Sequence, residues 1–232
     1  MTRQLRFALP KGRLLAPAID ALGRAGLPVP DSDDLASRRL VFEKDGLQWI
    51  LVKDADVPVY VEHGAADVGI AGYDQILEQT PDVLAPLAFA FGRCSMMLIG
   101  SPGAPPIESI SLPVVATKYA SFTGRWLRER RLSAEVVPLS GSVELAAVLR
   151  LAPYIVDLVE TGETIRVHGL TPVETIEEIS PRLIVNRNAF RLDPARVRSV
   201  VEALEGECGV RGAGFGVRSS EFGVRGKEES SR

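Results

Sequence analysis

Short runs of aliphatic and β-branched residues alternate with amphipathic stretches from residue 5 to about residue 204, and glycine, proline or aspartate marks most of the junctions. Residues 5–9 read as a first strand, and residues 14–25 repeat apolar positions at the helical period. Residues 40–42 and 47–52 flank Asp45-Gly46, a hairpin signal, because a tight two-residue turn needs positive φ at both central positions. Lys53 to Pro58 opens a helix through Val61, with Asp56 or a neighbour as cap and Pro58 in its first turn. Residues 66–71 read as a short buried strand, followed by a turn at Gly72 and a helix over 73–78. Residues 89–100 read as a strand crossing into a second unit, and 101–106 as a surface loop rich in proline and glycine. Further strands are predicted over 113–117, 134–139, 154–156, 173–179 and 182–186, the last two leading back toward the first unit. Helices are predicted over 124–131, from Gly141 onward, and from Asp193-Pro194 to Leu204. Strands alternating with helices predict an α/β protein with largely parallel sheets, whose ligands sit where the loops after the strands converge.

Composition narrows the functional classes. Hydrophobic residues make up 46% of 232, enough for a buried core, and a formal net charge of −3 argues against a general nucleic-acid binder. No apolar stretch has the length of a membrane span, and Met1 to Arg6 shows no signal-peptide pattern. The two cysteines, Cys94 and Cys208, have neither zinc spacing nor a disulfide framework, which fits a reducing cytoplasm. After Gly206 the composition turns to Gly, Arg and Ser, and Phe215-Gly216-Val217-Arg218 recurs as Phe222-Gly223-Val224-Arg225. Lacking a core-forming pattern, residues 206–232 are expected to form a disordered tail.

The candidate chemistry concentrates in one stretch. Tyr154-Ile155-Val156 leads into Asp157-Leu158-Val159-Glu160-Thr161-Gly162-Glu163-Thr164. A strand ending in a carboxylate, then a Thr-Gly-x-Thr turn, offers backbone N–H groups and two hydroxyls to a phosphate, and Gly162 lets the backbone approach it. Asp157 can accept hydrogen bonds from sugar hydroxyls beside that phosphate. The same residues also fit an ordinary strand–turn–helix connection with a threonine cap. A second anion site is offered by Pro10-Lys11-Gly12-Arg13, a glycine between two cations at a strand-to-helix turn. Its alternative, a solvated basic first turn, sets cations against the helix dipole. Asp67 and Asp74 flank the strand over 66–71. Asp74 and Gly72 are read either as part of a cleft wall near nucleotide or metal, or, for Asp74, as a helix N-cap. Cys94 has no histidine near it in sequence and reads as a buried structural thiol. His63 and His168 read as surface or packing residues, and Arg125, Arg128, Arg130 and Arg131 as a solvated face or, alternatively, a contact for a partner protein.

Taken together, Gly141-Ser142-Val143-Glu144, then Ile155 through Thr164, then Gly169-Leu170 resemble the phosphoribosyl-pyrophosphate motif of ATP phosphoribosyltransferase, which opens histidine biosynthesis. Pro10-Lys11-Gly12-Arg13-Leu14 is similar to that family's opening, and Lys118-Tyr119 matches a Lys-Tyr pair in it. The chain departs from the pattern where Arg150 replaces a usual Gly, Pro153 an Asp, Ile165 a Leu or Met, Ala147 and Ala120 a Pro, and Lys53 an Arg.

The resemblance implies a two-lobed, periplasmic-binding-protein-like α/β fold with the active site in the interdomain cleft. One domain would comprise residues 1–92 and 180–205, the other 93–179. It also implies condensation of ATP with 5-phosphoribosyl 1-pyrophosphate to N1-(5-phosphoribosyl)-ATP and pyrophosphate. On that reading Thr161, Gly162, Glu163 and Thr164 hold the 5-phosphate, Asp157 and Glu144 hold the ribose hydroxyls, and Glu160 belongs to the same phosphoribosyl-pyrophosphate site. Lys11 and Arg13 meet the departing pyrophosphate, and Gly12, Lys53, Asp56, Asp67, Gly72 and Asp74 line the ATP side of the cleft. Mg²⁺ would act mainly through substrate oxygens, with no protein ligand assigned to it. The length resembles the family's short form, which works with a regulatory subunit resembling histidyl-tRNA synthetase. The competing class is a two-lobed module that binds a small anion or senses an effector without catalysis; a prephenate-dehydratase-like catalyst finds no support in the phosphate loops.

Overall fold

The structure, a computed structural model, describes residues 4–37 and 39–210. In chain order the elements are β1 (Leu5–Pro10), α1 (Leu15–Arg24), α2 (Ser32–Ala36), β2 (Val41–Lys44), β3 (Leu47–Val52), α3 (Val57–Glu62), β4 (Val68–Ala71), α4 (Tyr73–Gln79) and β5 (Val83–Phe89). They continue with β6 (Cys94–Gly100), β7 (Val114–Thr117), α5 (Ala120–Glu129), β8 (Glu135–Pro138), α6 (Glu144–Val148), β9 (Tyr154–Val159), α7 (Glu163–Val167), β10 (Thr171–Ile179), β11 (Arg182–Asn186), α8 (Arg187–Leu192), α9 (Pro194–Leu204) and β12 (Cys208–Val210). They form a seven-stranded sheet, β12-β5-β11-β4-β1-β3-β2, and a five-stranded sheet, β10-β6-β9-β7-β8.

Side-chain alternation along the strands divides each sheet into two packed faces. Leu5, Phe7 and Leu9 of β1 point into a core shared with Leu22 of α1 and Val197, Val200 and Val201 of α9. Ala8 points the other way, against Val57 and Val61 of α3. That face has little room: a Cβ on Gly69 would lie 2.9 Å from Val57, 3.0 Å from Val61 and 3.1 Å from the Ala8 carbonyl. In the second sheet, Met96, Leu98, Val115, Tyr154 and Val156 pack on Trp126 and Leu127 of α5. Ile99, Ala116 and Ile155 face Val143, Ala146 and Ala147 around α6, and Ile165 of α7. Two departures from the family pattern, Ala147 and Ile165, are thus small-to-medium apolar residues filling one core.

The sheets are mixed rather than largely parallel. Within the first, β1 pairs parallel with β3 and β4, while β2, β11, β5 and β12 join antiparallel. Within the second, β7 pairs parallel with β8 and β9, while β6 and β10 join antiparallel. Each sheet therefore keeps three adjacent parallel strands, central in the first (β4-β1-β3) and at one edge in the second (β9-β7-β8), and β10 belongs to the second sheet instead of leading back to the first. Strand β5 gave no strand signal because Pro86 interrupts it. Its pairing to β11 shifts register between Leu183 and Val185, so Pro86 falls in an irregularity that needs no ladder hydrogen bond there. The hairpin at Asp45-Gly46 forms as expected, with φ of 45° and 83°. The polar connection before it contains the unexpected α2, started by a capping box between Asp31 and Asp34. The chain also remains ordered past Gly206: β12 pairs with β5, and Arg24 donates to Glu207 at 2.9 Å. The remainder of the expected tail, residues 211–232, lies outside the described residues.

Arg150 shows what the family's usual glycine would do. It follows α6 with φ of 59°; its N–H donates to the Ala147 carbonyl, and the Leu151 N–H to that of Ala146. This is a left-handed helix stop that favours glycine. Arg150→Gly is therefore expected to raise unfolding stability by about 1 kcal/mol by removing left-handed strain. Thermal denaturation of the two proteins checks this, and an unchanged or lower midpoint would show that the arginine is held there at no cost.

Candidate active site at the facing strand ends

In a parallel strand set, the loops after the strands share one edge, and both sheets present such an edge here. From the first sheet come Lys11-Gly12-Arg13 after β1, Lys53-Asp54 after β3 and Gly72-Tyr73-Asp74 after β4. From the second come Lys118-Tyr119 after β7, Ser140–Glu144 after β8 and Glu160–Thr164 after β9. Side-chain contacts show that the two edges face each other. Arg13 donates to the Glu160 carboxylate at 3.4 Å and to the Cys94 sulfur at 3.7 Å. The Tyr119 hydroxyl donates to Asp74 at 3.0 Å.

On the second-sheet wall, Asp157 lies near the end of β9, where it accepts from its neighbour's N–H (Leu158, 2.8 Å) and pairs with Lys118 at 3.2 Å. Thr117 fixes the turn that carries Lys118: its hydroxyl donates to the Val156 carbonyl at 2.7 Å and accepts from the Tyr119 N–H at 2.9 Å. Gly162 has φ of 73° and itself occupies the N-cap position of α7. Neither Thr161 nor Thr164 caps α7 as one sequence reading allowed; Thr161 accepts only a long contact from the Glu163 N–H, 3.4 Å. Thr161, Glu163 and Thr164 are exposed. A Cβ on Gly162 would meet only Val159, at 3.9 Å, so open space lies over this turn. Helix α7 has only five residues, so its dipole adds little and the turn's own N–H groups matter more. Glu144 opens α6 at the same edge and is half-buried.

On the first-sheet wall, Gly12 has φ of 89° with open space where a Cβ would point, and Lys11, Arg13 and Lys53 are exposed. Gly72 is the N-cap of α4, and Asp74 sits in its first turn instead of capping it. The Asp74 carboxylate folds back over Gly72: a Cβ there would lie 2.2 Å from it and 3.3 Å from Asp54. Two calls move. Asp67 precedes β4, at the opposite end of the parallel strands, where it accepts from the Arg6 N–H at 2.9 Å and pairs with the Arg6 guanidinium at 3.3 Å. It is an anchor for β1, remote from the cleft. Asp56 is exposed and makes no cap hydrogen bond; Asp54 instead turns inward and accepts from the Gly72 N–H at 3.3 Å.

Electrostatics single out the same cluster. Burial, then the charge of Asp74, pushes the Asp54 carboxyl above its usual range. Burial, then Asp74, pushes the Tyr119 hydroxyl far up, which keeps it a donor. Burial also pushes the Cys94 thiol up, in keeping with an inert sulfur. Burial works against the Arg13 guanidinium, yet the Cys94 sulfur, Glu160 and Asp74 outweigh it and hold its charge firmly. Asp54 carried no local signal, and Tyr119 was marked only by the resemblance of Lys118-Tyr119 to a family pair; their contacts come from partners 18 and 45 residues away.

For Asp54 the folded-state pKa lies above the unfolded one, so the folded protein binds this proton more tightly. The stability gained from that is complete below the ordinary carboxylate range and is lost as pH rises through the folded value. Asp54→Asn is therefore expected to be more stable than the parent at neutral pH, with the gap closing in acid. Urea denaturation at both pH values measures this, and a less stable variant at neutral pH would mean that the Asp54 charge is compensated.

This facing arrangement has close parallels. Residues 53–206 match the family described as HisG: ATP phosphoribosyltransferase. The chain is 40% identical over 212 residues to ATP phosphoribosyltransferase 2 of Geobacter sulfurreducens, covering 88% of this chain and 99% of that one. It is 42% identical over 201 residues to ATP phosphoribosyltransferase of Thermus thermophilus, covering 86% and 95%. Its fold matches a chain of the ATP phosphoribosyl transferase (HisG:HisZ) complex from Thermotoga maritima with a TM-score of 0.75 and 30% identity, over 87% of this chain and 97% of that one. The two-lobed, periplasmic-binding-protein-like architecture and the sequence agree over most of the chain's length, and the protein belongs to the ATP phosphoribosyltransferase family.

Proposed function

We propose that the cleft between the two sheets binds 5-phosphoribosyl 1-pyrophosphate on the β9 wall and ATP on the β4 wall, and joins them in the family's reaction, the first step of histidine biosynthesis. The observation that carries the reading of one shared cleft is Arg13, which leaves the β1 edge and reaches Glu160 and Cys94 on the opposite side. In the reaction, adenine N1 bonds to the ribose anomeric carbon while the bond from that carbon to the pyrophosphate oxygen breaks. The electron pair leaves with pyrophosphate. No enzyme nucleophile is needed, so positioning and charge stabilisation supply the catalysis.

Each role follows from the chemistry of the group. The open N–H groups of Thr161 to Thr164, Glu163 among them, and the two threonine hydroxyls form the cradle for the 5-phosphate, with Glu160 at its edge. Asp157 and Glu144 accept from the ribose hydroxyls; the Lys118 pair orients Asp157 for that task. The Arg13–Glu160 contact is between exposed partners and exchanges readily, so Arg13 moves onto the pyrophosphate together with Lys11, across Gly12. Gly72 and Asp74 shape the adenine side with Asp54, and Lys53 supplies a point charge to the ATP phosphates. Mg²⁺ belongs to this reading as the ion that neutralises phosphate charge. Among the described residues no three acidic, histidine or cysteine side chains gather into a metal cage. Single carboxylates such as Asp54 and Asp157 suit one face of an ion that the phosphates mainly hold.

The partner is a regulatory subunit resembling histidyl-tRNA synthetase. The named HisG:HisZ composition of the Thermotoga maritima structure, matched over 97% of its chain, supports this. No described helix is long and apolar enough to cross a membrane, and the cytoplasm, where ATP is made and used, is the compartment we assign. The purified chain is expected to turn over slowly alone and at least about tenfold faster on adding that subunit, a coupling of ordinary allosteric size. Pyrophosphate release measured across a titration with the subunit tests this; full turnover by the chain alone, unchanged by the subunit, would remove the partner.

A further inference from the structure

We propose that Glu78, on α4 of the first-sheet half, is a positioning residue for phosphoribosyl pyrophosphate, acting through the first turn of α5 in the other half. The inference rests on the assignment of Asp157 to the ribose hydroxyls. Helix α5 has no cap of its own: its N-cap residue is Tyr119, which makes no side-chain cap hydrogen bond. The orphan N–H groups of its first turn are met by α4, whose Tyr73 and Leu77 pack on the same core as Trp126 and Leu127 of α5. One Glu78 oxygen accepts from the Ser121 N–H at 2.9 Å, and the other accepts from the Phe122 N–H at 2.9 Å. A carboxylate placed at exposed N–H groups forms charge-assisted bonds and also opposes the positive end of the helix.

The grip on α5 is multiple. One turn before Glu78, Asp74 accepts from the Tyr119 hydroxyl at 3.0 Å. In the opposite direction, Arg125 of α5 donates to the Leu77 carbonyl. Helix α4 thus holds the segment from Tyr119 to Arg125 by two carboxylates and a carbonyl. That segment begins immediately after Lys118, whose ammonium pairs with Asp157. Glu78 is therefore linked to the ribose carboxylate by one continuous chain: the capped turn fixes Tyr119, which fixes Lys118, which orients Asp157. The sequence offers a reason for such an arrangement. Ala120 stands at the first helical position, where the family usually has a proline that would pre-set the turn itself. Here a distant carboxylate does the ordering.

The test uses the full chain with the regulatory subunit and reads the phosphoribosyl-pyrophosphate dissociation constant by calorimetry, beside kcat and both KM values, at a temperature where circular dichroism shows each variant folded. Glu78→Ala is expected to weaken phosphoribosyl-pyrophosphate binding about tenfold, the size of a lost cap expressed in binding, while KM for ATP changes much less. Glu78→Gln, which keeps one acceptor oxygen, is expected to fall between the two. Adding Ala120→Pro to Glu78→Ala should recover part of the loss by ordering the turn locally. A role confined to stability predicts a lower melting temperature with an unchanged dissociation constant, and that result overturns the proposal. Should Glu78→Ala fail to fold, the same comparison on Glu78→Gln decides it. Failure of the parent to bind phosphoribosyl pyrophosphate would instead sink the assignment of the cleft, and this inference with it.

Discussion

Gly162→Val is expected to abolish measurable phosphoribosyl-pyrophosphate binding in a protein that still folds. Gly162 has φ of 73°, a conformation that costs a side-chain-bearing residue about 1–2 kcal/mol. The protein itself offers no other obstacle, since an added Cβ would meet only Val159 at 3.9 Å. The obstacle falls on the ligand. If the N–H groups of the Thr161–Thr164 turn cradle the 5-phosphate, a branched side chain stands where the phosphate must come. Charge-assisted hydrogen bonds are worth roughly 1.5–3 kcal/mol each, and losing two weakens binding by about a hundredfold or more. ATP affinity should change less, because its contacts lie on the other wall. Calorimetric titration with each substrate, with circular dichroism as a check on folding, reads the result. Near-parental phosphoribosyl-pyrophosphate affinity in folded Gly162→Val would remove this turn from the site.

Arg13→Ala should cut kcat by about a hundred- to a thousandfold, the usual loss when one preorganised charge aimed at a developing anion is removed. The ground-state pair with Glu160 joins side chains that are 47% and 63% exposed, so its contribution to stability is under about 1 kcal/mol. Thermal stability should barely move. The charge on the leaving pyrophosphate grows as its bond to the ribose breaks, so kcat should fall by more than KM rises. Arg13→Lys keeps the charge without the fork and should recover only part of the rate. Steady-state kinetics with phosphoribosyl pyrophosphate varied, beside a melting curve, separates these effects. A large loss of stability with little change in kcat would make Arg13 a structural link between the halves.

The sequence was informative wherever chemistry was written locally. The Asp45-Gly46 hairpin, the Asp193 cap of α9 and the turn after Asp157 each need particular residue types at neighbouring positions, and each forms. It was uninformative wherever a partner lies far along the chain. Helix α5 starts at Ala120, four residues before the apolar periodicity suggested, because its first turn is capped by Glu78 more than 40 residues earlier. Asp54 and Asp56 are interchangeable in a local reading. Only the approach of Gly72 shows that Asp54 turns inward. Asp67 looked equivalent to Asp74 because both flank one strand, but a strand has two ends and only its C-terminal end meets the cleft. Arg130 stays exposed on its helix, as the solvated-face reading expected, but its contacts were hidden: it stacks on Trp126 at 4.9 Å and pairs with Glu174. The Pro86 interruption hid β5, since a proline argues against a strand until a register shift accommodates it.

The most direct measurement mixes the chain and its regulatory subunit with ATP, phosphoribosyl pyrophosphate and Mg²⁺ and follows both products. The expected result is one pyrophosphate released for each N1-(5-phosphoribosyl)-ATP formed, none when either substrate is omitted, and none above background with Gly162→Val in place of the parent. Absence of both products from the parent assembly, or equal turnover by parent and Gly162→Val, would contradict catalysis in the cleft between the two sheets.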